Sequence, residues 1–144
     1  MRSEFFEDRN ISETTVIVHA PYRSDEIEEL MEYIKAFTPS PIDGYSDGTL
    51  TKLKKSSIIR IYSKDKRVYA DTIDSSYLLK NPLYRLEETL PDNFVRISNS
   101  EIVNADRIIR MDLNLTGTIR IYLEGNIESF VSRRYVSRVK KVLL

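Results

Sequence analysis

Apolar residues recur along this chain at two spacings, and each change of spacing marks a change of expected structure. Residues 14–19 (TTVIVH) are β-branched and apolar, which suits a strand. Beyond Pro21, Ile27, Leu30, Met31, Ile34 and Phe37 fall on one helical face. Asp25 is placed to cap that helix with Glu28 three residues on, and Pro39 to stop it. Short strands and turns follow. Residues 57–62 (SIIRIY) and 67–71 (RVYAD) flank the polar turn Ser63-Lys64-Asp65-Lys66, which reads as a hairpin. Asn81 caps and Pro82 opens a short helix with Leu83, Leu86 and Leu90 inward and Pro91 as its stop. From Phe94 a strand-like alternation is interrupted by Ser98, Asn99 and Ser100 and ends at Asn104. Residues 108–115, 118–123 and 127–131 alternate or run apolar, with turns at Thr116-Gly117 and Glu124-Gly125-Asn126. Ser132 then caps a last helix with Tyr135, Val136, Val139 and Leu143 on one face, and Lys140 and Lys141 suit its C-terminal dipole. The expected class is mostly β, α+β overall, with short helices and a small strand–helix segment in front.

A chain of 144 residues buries one good core, so one domain, or one domain with an appendage, is expected. Thr38-Pro39-Ser40-Pro41 is the best linker, dividing a segment at 1–38 from a main domain at 41–144. The absence of cysteine excludes disulfides and thiolate chemistry, and one histidine, His19, makes a zinc site improbable. No apolar run approaches the roughly 20 residues of a membrane helix. The N-terminus MRSEFFEDRN is too polar for a signal peptide, so a soluble, cytoplasmic protein is expected.

Charge changes the picture. The 22 Lys and Arg balance the 22 Asp and Glu, yet residues 1–38 hold four of the first and nine of the second. Residues 39–144 therefore hold eighteen and thirteen, so the front carries −5 and the rest +5. A basic region of this kind is compatible with nucleic acid despite the neutral total. Glu26, Glu28, Glu29 and Glu32 read as a solvated face near a helix N-terminus rather than as catalytic carboxylates. No nucleophile–base pair, phosphate loop or metal cluster is legible, so no enzyme activity and no cofactor are expected.

A mostly β module without a recognition helix would read bases through loops at one edge. Base edges call for Arg or Lys against guanine and Asn against adenine; phosphates call for Arg, Lys, Ser and backbone amides. The hairpin tip offers Lys64, Lys66 and Arg67; the middle loop offers Ser98, Asn99 and Ser100, with Arg96 just before; the third offers Ser132, Arg133 and Arg134. Each also has an ordinary reading. Lys-Asp-Lys is common solubilising turn chemistry, and Asn99 can serve a turn backbone. Two arginines at a helix start oppose the dipole, which favours an anion arriving there. The nine tyrosines suit strand and helix packing better than base stacking.

Two stretches carry a family likeness. Phe94, Arg96, Ser100, Val103 and Asn104 match the pattern FxRxHxSxxVN, with Ser98 where the histidine stands, and Val131, Ser132, Arg133 and Tyr135 complete VSRxY. The chain thus resembles the LytTR family of bacterial DNA-binding domains over about residues 41–144. The resemblance implies an elongated, mostly β fold that inserts loops into successive major grooves of one DNA face. It puts Lys66, Asn99 and Arg133 at the three base-reading positions, with Arg67, Arg96, Ser98, Ser100, Arg134 and Lys64 around them. The front segment and the run LNLTGTIRIYLEGN look like the stand-alone LytTR regulators of Firmicutes. For these it implies a homodimer on repeated half-sites of double-stranded DNA and a small integral membrane protein as regulatory partner, with no small-molecule substrate. The rival reading is a protein-interaction module whose LytTR-like surface no longer binds DNA.

Overall fold

The computed structural model describes residues 1–11, 14–37, 40–113 and 117–144. They fall into two compact units, Met1–Thr38 and Pro39–Leu144.

Among its described residues the first unit contains one helix, α1 (Asp25–Ala36). Ser24, not Asp25, is its N-cap, and the Ser24 hydroxyl accepts from the Ile27 amide. Asp25, Glu26 and Glu28 then occupy the first turn, where the helix dipole favours negative charge. The strand expected at 14–19 does not form: Val16 and Ile17 are 60% and 71% exposed and belong to no ladder. β-branched propensity needs a neighbouring strand to satisfy its backbone, and this unit supplies none among its described residues. The expected helix stop at Pro39 and the Thr38-Pro39 half of the linker lie outside the described residues.

The second unit is built on a seven-stranded antiparallel sheet and a three-stranded one. The large sheet contains β1 (Ile42–Ser46), β2 (Thr49–Leu53), β3 (Arg60–Lys64), β4 (Arg67–Asp71), β5 (Ser76–Leu79), β6 (Phe94–Ser98) and β7 (Glu101–Asn104). Its order is β2-β1-β5-β4-β3-β7-β6. The small sheet is β10 (Ile127–Val131), β9 (Ile119–Leu123) and β8 (Ile108–Leu113) in that order. Helices α2 (Leu83–Thr89) and α3 (Val136–Leu143) complete it. The end of the expected 108–115 strand, with the Thr116 half of its turn, lies outside the described residues. Residues 55–57 form a 3-10 turn, so the third strand begins at Arg60 instead of Ser57.

Two turns explain the hairpins. Asp47 and Gly48 have φ of 49° and 77°, and Asp65 and Lys66 have φ of 51° and 64°. Left-handed backbone at both central residues is the geometry whose twist matches a right-handed strand pair. A lysine there, with no local hydrogen bond of the Asn or Asp kind, is an uncommon occupant.

The strands around β7 are buried on both faces. Ile102 joins Leu53, Ile58, Ile61, Ala70, Leu79, Leu83 and Leu86 in one core, on the side of α2. Its neighbour Val103 points the other way, joining Ile59, Val95, Ile97 and the small sheet's Ile119, Ile121, Leu123 and Val131, with Val139 of α3. Successive side chains of extended backbone face opposite ways, so paired apolar residues such as Ile102-Val103 on β7, and Ile58-Ile59 in the extended stretch before β3, feed two cores at once. Asn104, 1% exposed, ends β7 with both ends of its side-chain amide bonded. Its nitrogen donates to the Ile58 carbonyl at 2.9 Å, and its oxygen accepts from Asn93 Nδ2 and the Asp106 amide, each at 3.0 Å.

Candidate nucleic-acid interface

Three turns converge on one edge of the second unit. The tip of the β3–β4 hairpin presents Lys64, Lys66 and Arg67, all exposed, with Lys64 paired opposite Arg67. Strand β3 also pairs with β7, Tyr62 opposite Glu101, and the Ser63 amide donates to the Ser100 carbonyl at 2.8 Å. That pairing sets the hairpin tip beside the β6–β7 turn of Ser98, Asn99 and Ser100. The third turn, from Ser132 to Tyr135, is tied once to β6 and once to the second turn. The Ser132 amide donates to the Ile97 carbonyl at 3.0 Å, and Tyr135 Oη donates to Asn99 Oδ1 at 3.0 Å.

The middle turn is shaped from beneath. The Arg96 side chain is only 12% exposed; its guanidinium donates to the Ser98 and Asn99 carbonyls, both at 2.6 Å, and to Glu87 Oε2 at 2.7 Å. Glu87, on α2, also pairs with Arg138 on α3 at 3.2 Å, so one carboxylate anchors two elements behind the turn. Ser98 is half-buried, follows a register shift in β6 between Arg96 and Ser98, and its hydroxyl accepts from the Ser100 amide at 3.2 Å. Asn99 and Ser100 are left exposed, with the Asn99 amide nitrogen on the far side from the tyrosine bond. Sequence reasoning grouped Arg96 with the exposed cations; its bonds make it the clamp of the loop instead.

Arg133 and Arg134 occupy a 3-10 turn, Arg133–Tyr135, and the α-helix starts only at Val136. The expected Ser132 side-chain cap is absent: its hydroxyl donates instead to the Ile97 carbonyl, at 3.5 Å. Both arginines are exposed.

Partnering separates the cations. Arg60, Arg107, Arg110, Arg120 and Arg138 each meet a carboxylate. Among the described residues, Lys64, Lys66, Arg67, Arg133 and Arg134 meet none. The arginines of the sheets and α3 that meet carboxylates are thus largely neutralised, while all five cations of the converging turns keep their charge unpaired among the described residues. Further in, Arg60 bonds Asp71 at 2.7 Å and Glu101 at 3.2 Å, and Ser129 donates to Glu101 at 2.6 Å. Burial opposes the Arg60 charge, but the Asp71 bond and the Glu101 and Asp71 charges outweigh it and hold the guanidinium above its ordinary pKa. This network joins β3, β4, β7 and β10, at the end of the β3–β4 hairpin away from its tip.

Among the described residues no group of His, Cys, Asp and Glu is placed to hold a metal ion, and no helix is long and apolar enough to cross a membrane. The roles of Tyr135, Glu87 and Asn104 escaped sequence reasoning. Tyr135 and Asn104 were visible as motif positions, but only the fold shows what they bond.

The LytTr DNA-binding domain family profile matches residues 48–144. The chain belongs to the LytTR DNA-binding domain family. Uncharacterized HTH-type transcriptional regulators of Staphylococcus aureus strains NCTC 8325 / PS 47 and COL are each 33% identical to it over 144 residues, covering 99% of this chain and 98% of theirs. The solved LytTr DNA-binding domain of a Bacillus cereus methyl-accepting/DNA response regulator superposes with a TM-score of 0.70 at 24% identity, covering 74% of this chain and 98% of that one. The LytTR fold is thus the fold of the second unit. The HTH label in the relatives' names has no counterpart in this LytTR chain: among the described residues, five strands separate α1 from α2 and five separate α2 from α3. The LytTR match begins at Gly48, so β1 lies outside it, although β1 pairs with both β2 and β5.

Proposed function

We propose that this LytTR protein is a sequence-specific transcriptional regulator that reads successive major grooves of double-stranded DNA through Lys66, Asn99 and Arg133. The observation carrying this reading is the convergence of three turns whose cations lack acidic partners. Side chains on three turns of one edge meet the bases, each with the donors its base edge requires. Lys64, Arg67, Ser100 and Arg134 surround them and take phosphates, which set orientation and most of the salt-dependent affinity. Arg96 and Ser98 hold the shape of the middle turn.

The protein acts in the cytoplasm as a homodimer on repeated half-sites, with residues 1–38 as the dimerisation or regulatory segment. Support comes from the net −5 of that segment, which disfavours contact with phosphates, and from its apolar exposure: Phe5, Phe6, Val16, Ile17 and Phe37 all stand open. Two-fold pairing of exposed apolar surface, such as that of Phe5, Phe6, Val16 and Ile17, with its own copy is the common route to a dimer. A small integral membrane protein is the second candidate for the same surface.

The test is enrichment of bound duplexes from a random pool, followed by footprinting on the DNA upstream of the protein's own gene. One protected, recurrent motif is expected. Binding that is absent at low salt, or indifferent to sequence, would remove the regulatory reading and leave the protein-interaction alternative.

A further inference from the structure

The geometry points to Lys80 as a phosphate-anchoring residue that extends the DNA contact beyond the three turns, held in place by the ring of Tyr45. This deepens the DNA-binding reading above and rests on it.

Strands β4 and β5 pair with Val68 opposite Leu79, so continuing the register by one residue sets Lys80 against Arg67. Arg67 is itself opposite Lys64. Directly opposed residues of antiparallel strands share a face, so Lys64, Arg67 and Lys80 form one cationic row across three strands. At about 4.8 Å per strand the row spans about 10 Å, the axial length of about three nucleotides of one DNA strand. It starts at the hairpin tip that carries Lys66 and runs away from Asn99 and Arg133. It therefore follows a backbone rather than a base edge.

The next strand ends the row and fixes its last member. Among the described residues, register brings the Asp43 carboxylate of β1 toward Lys80, but it is taken by Lys52 at 2.5 Å. The Lys80 ammonium instead lies 4.4 Å from the centroid of the Tyr45 ring. A ring face attracts the cation without neutralising it, so the charge stays available while the flexible stem is restrained. Lys80 is exposed and, among the described residues, has no ion pair. Lys80 sits in no motif, and only the strand register brings it into this row.

The experiment measures binding of the full chain to an enriched duplex and to a shuffled duplex of the same composition, across a salt series, with thermal melts for every variant. Lys80→Gln should weaken both duplexes equally, roughly fivefold near physiological salt, and lower the slope of log affinity against log salt by about one. Lys80→Arg should match wild type. Tyr45→Phe keeps the ring and should also match, whereas Tyr45→Leu should give part of the Lys80→Gln loss. Unchanged affinity and slope in Lys80→Gln, beside a sequence-specific loss in Asn99→Ala, would overturn the Lys80 assignment and leave the DNA reading standing. Loss on the enriched duplex alone would make Lys80 a base reader and overturn the phosphate role. Wild-type protein that binds neither duplex at low salt would overturn both.

Discussion

Tyr135 Oη donates a 3.0 Å hydrogen bond to Asn99 Oδ1, joining the third turn to the second at the side chain expected to read a base. The bond selects one orientation of the Asn99 amide before DNA arrives. Tyr135→Phe should leave the melting temperature unchanged and weaken specific binding by about 1 kcal/mol, roughly fivefold, through lost preorganisation. Titration against enriched and shuffled duplexes separates this from a phosphate effect, because only the enriched duplex should respond.

Asn99→Ala and Arg133→Ala should each cost about 1–3 kcal/mol of specific affinity and relax preference at one base position. Thermal melts should match wild type, since both side chains are exposed. Equal weakening on both duplexes would make the residue a phosphate contact, and no weakening would remove it from the interface.

Lys66 carries two expectations. Lys66→Glu should abolish specific binding, while Lys54→Glu should matter much less. Lys54 lines a crevice with Thr72 and Asp74, at the opposite end of β4 and β5 from the hairpin tip. Similar losses from both would indicate a diffuse electrostatic surface. Lys66→Gly removes the side chain and relieves the left-handed backbone at φ 64°, so it should lose specific binding while holding or raising the melting temperature.

Arg96→Met should destabilise the fold by about 2–3 kcal/mol, because the Glu87 carboxylate and two carbonyls lose a largely buried partner. Denaturant unfolding reads the loss directly. An Arg96→Met variant as stable as wild type, with only its affinity reduced, would return Arg96 to the DNA-contacting set.

Deleting residues 1–38 should shift the protein toward monomer in light scattering while keeping weak binding to a single half-site. A truncated protein that stays dimeric, or that folds and loses half-site binding, would reverse the division of labour between the two units.

Legibility from sequence followed local pattern. The β3–β4 hairpin, α2 and β10 were readable because strong apolar periodicity coincided with polar turn residues. Strands β1 and β2 were overlooked, although Asp47-Gly48 is a strong hairpin dipeptide, because IDGYS and TLTKL alternate weakly. Residues 14–19 failed in the opposite direction: high strand propensity found no partner strand in its own unit. The cationic loop residues were legible by type, but type does not separate Arg96 from Arg133. Only the placement of Glu87 beneath the turn decides that one guanidinium faces inward and the other outward.

The two-sided burial around β7 has a consequence for how this protein can change. Lys66, Asn99 and Arg133 sit on turn tips and belong to neither apolar core, while the strands beneath them are pinned from both faces. On the proposed reading, substitutions at the tips would retarget the protein to a new operator without loosening the scaffold. On that reading, recognition and robustness would be free to evolve separately.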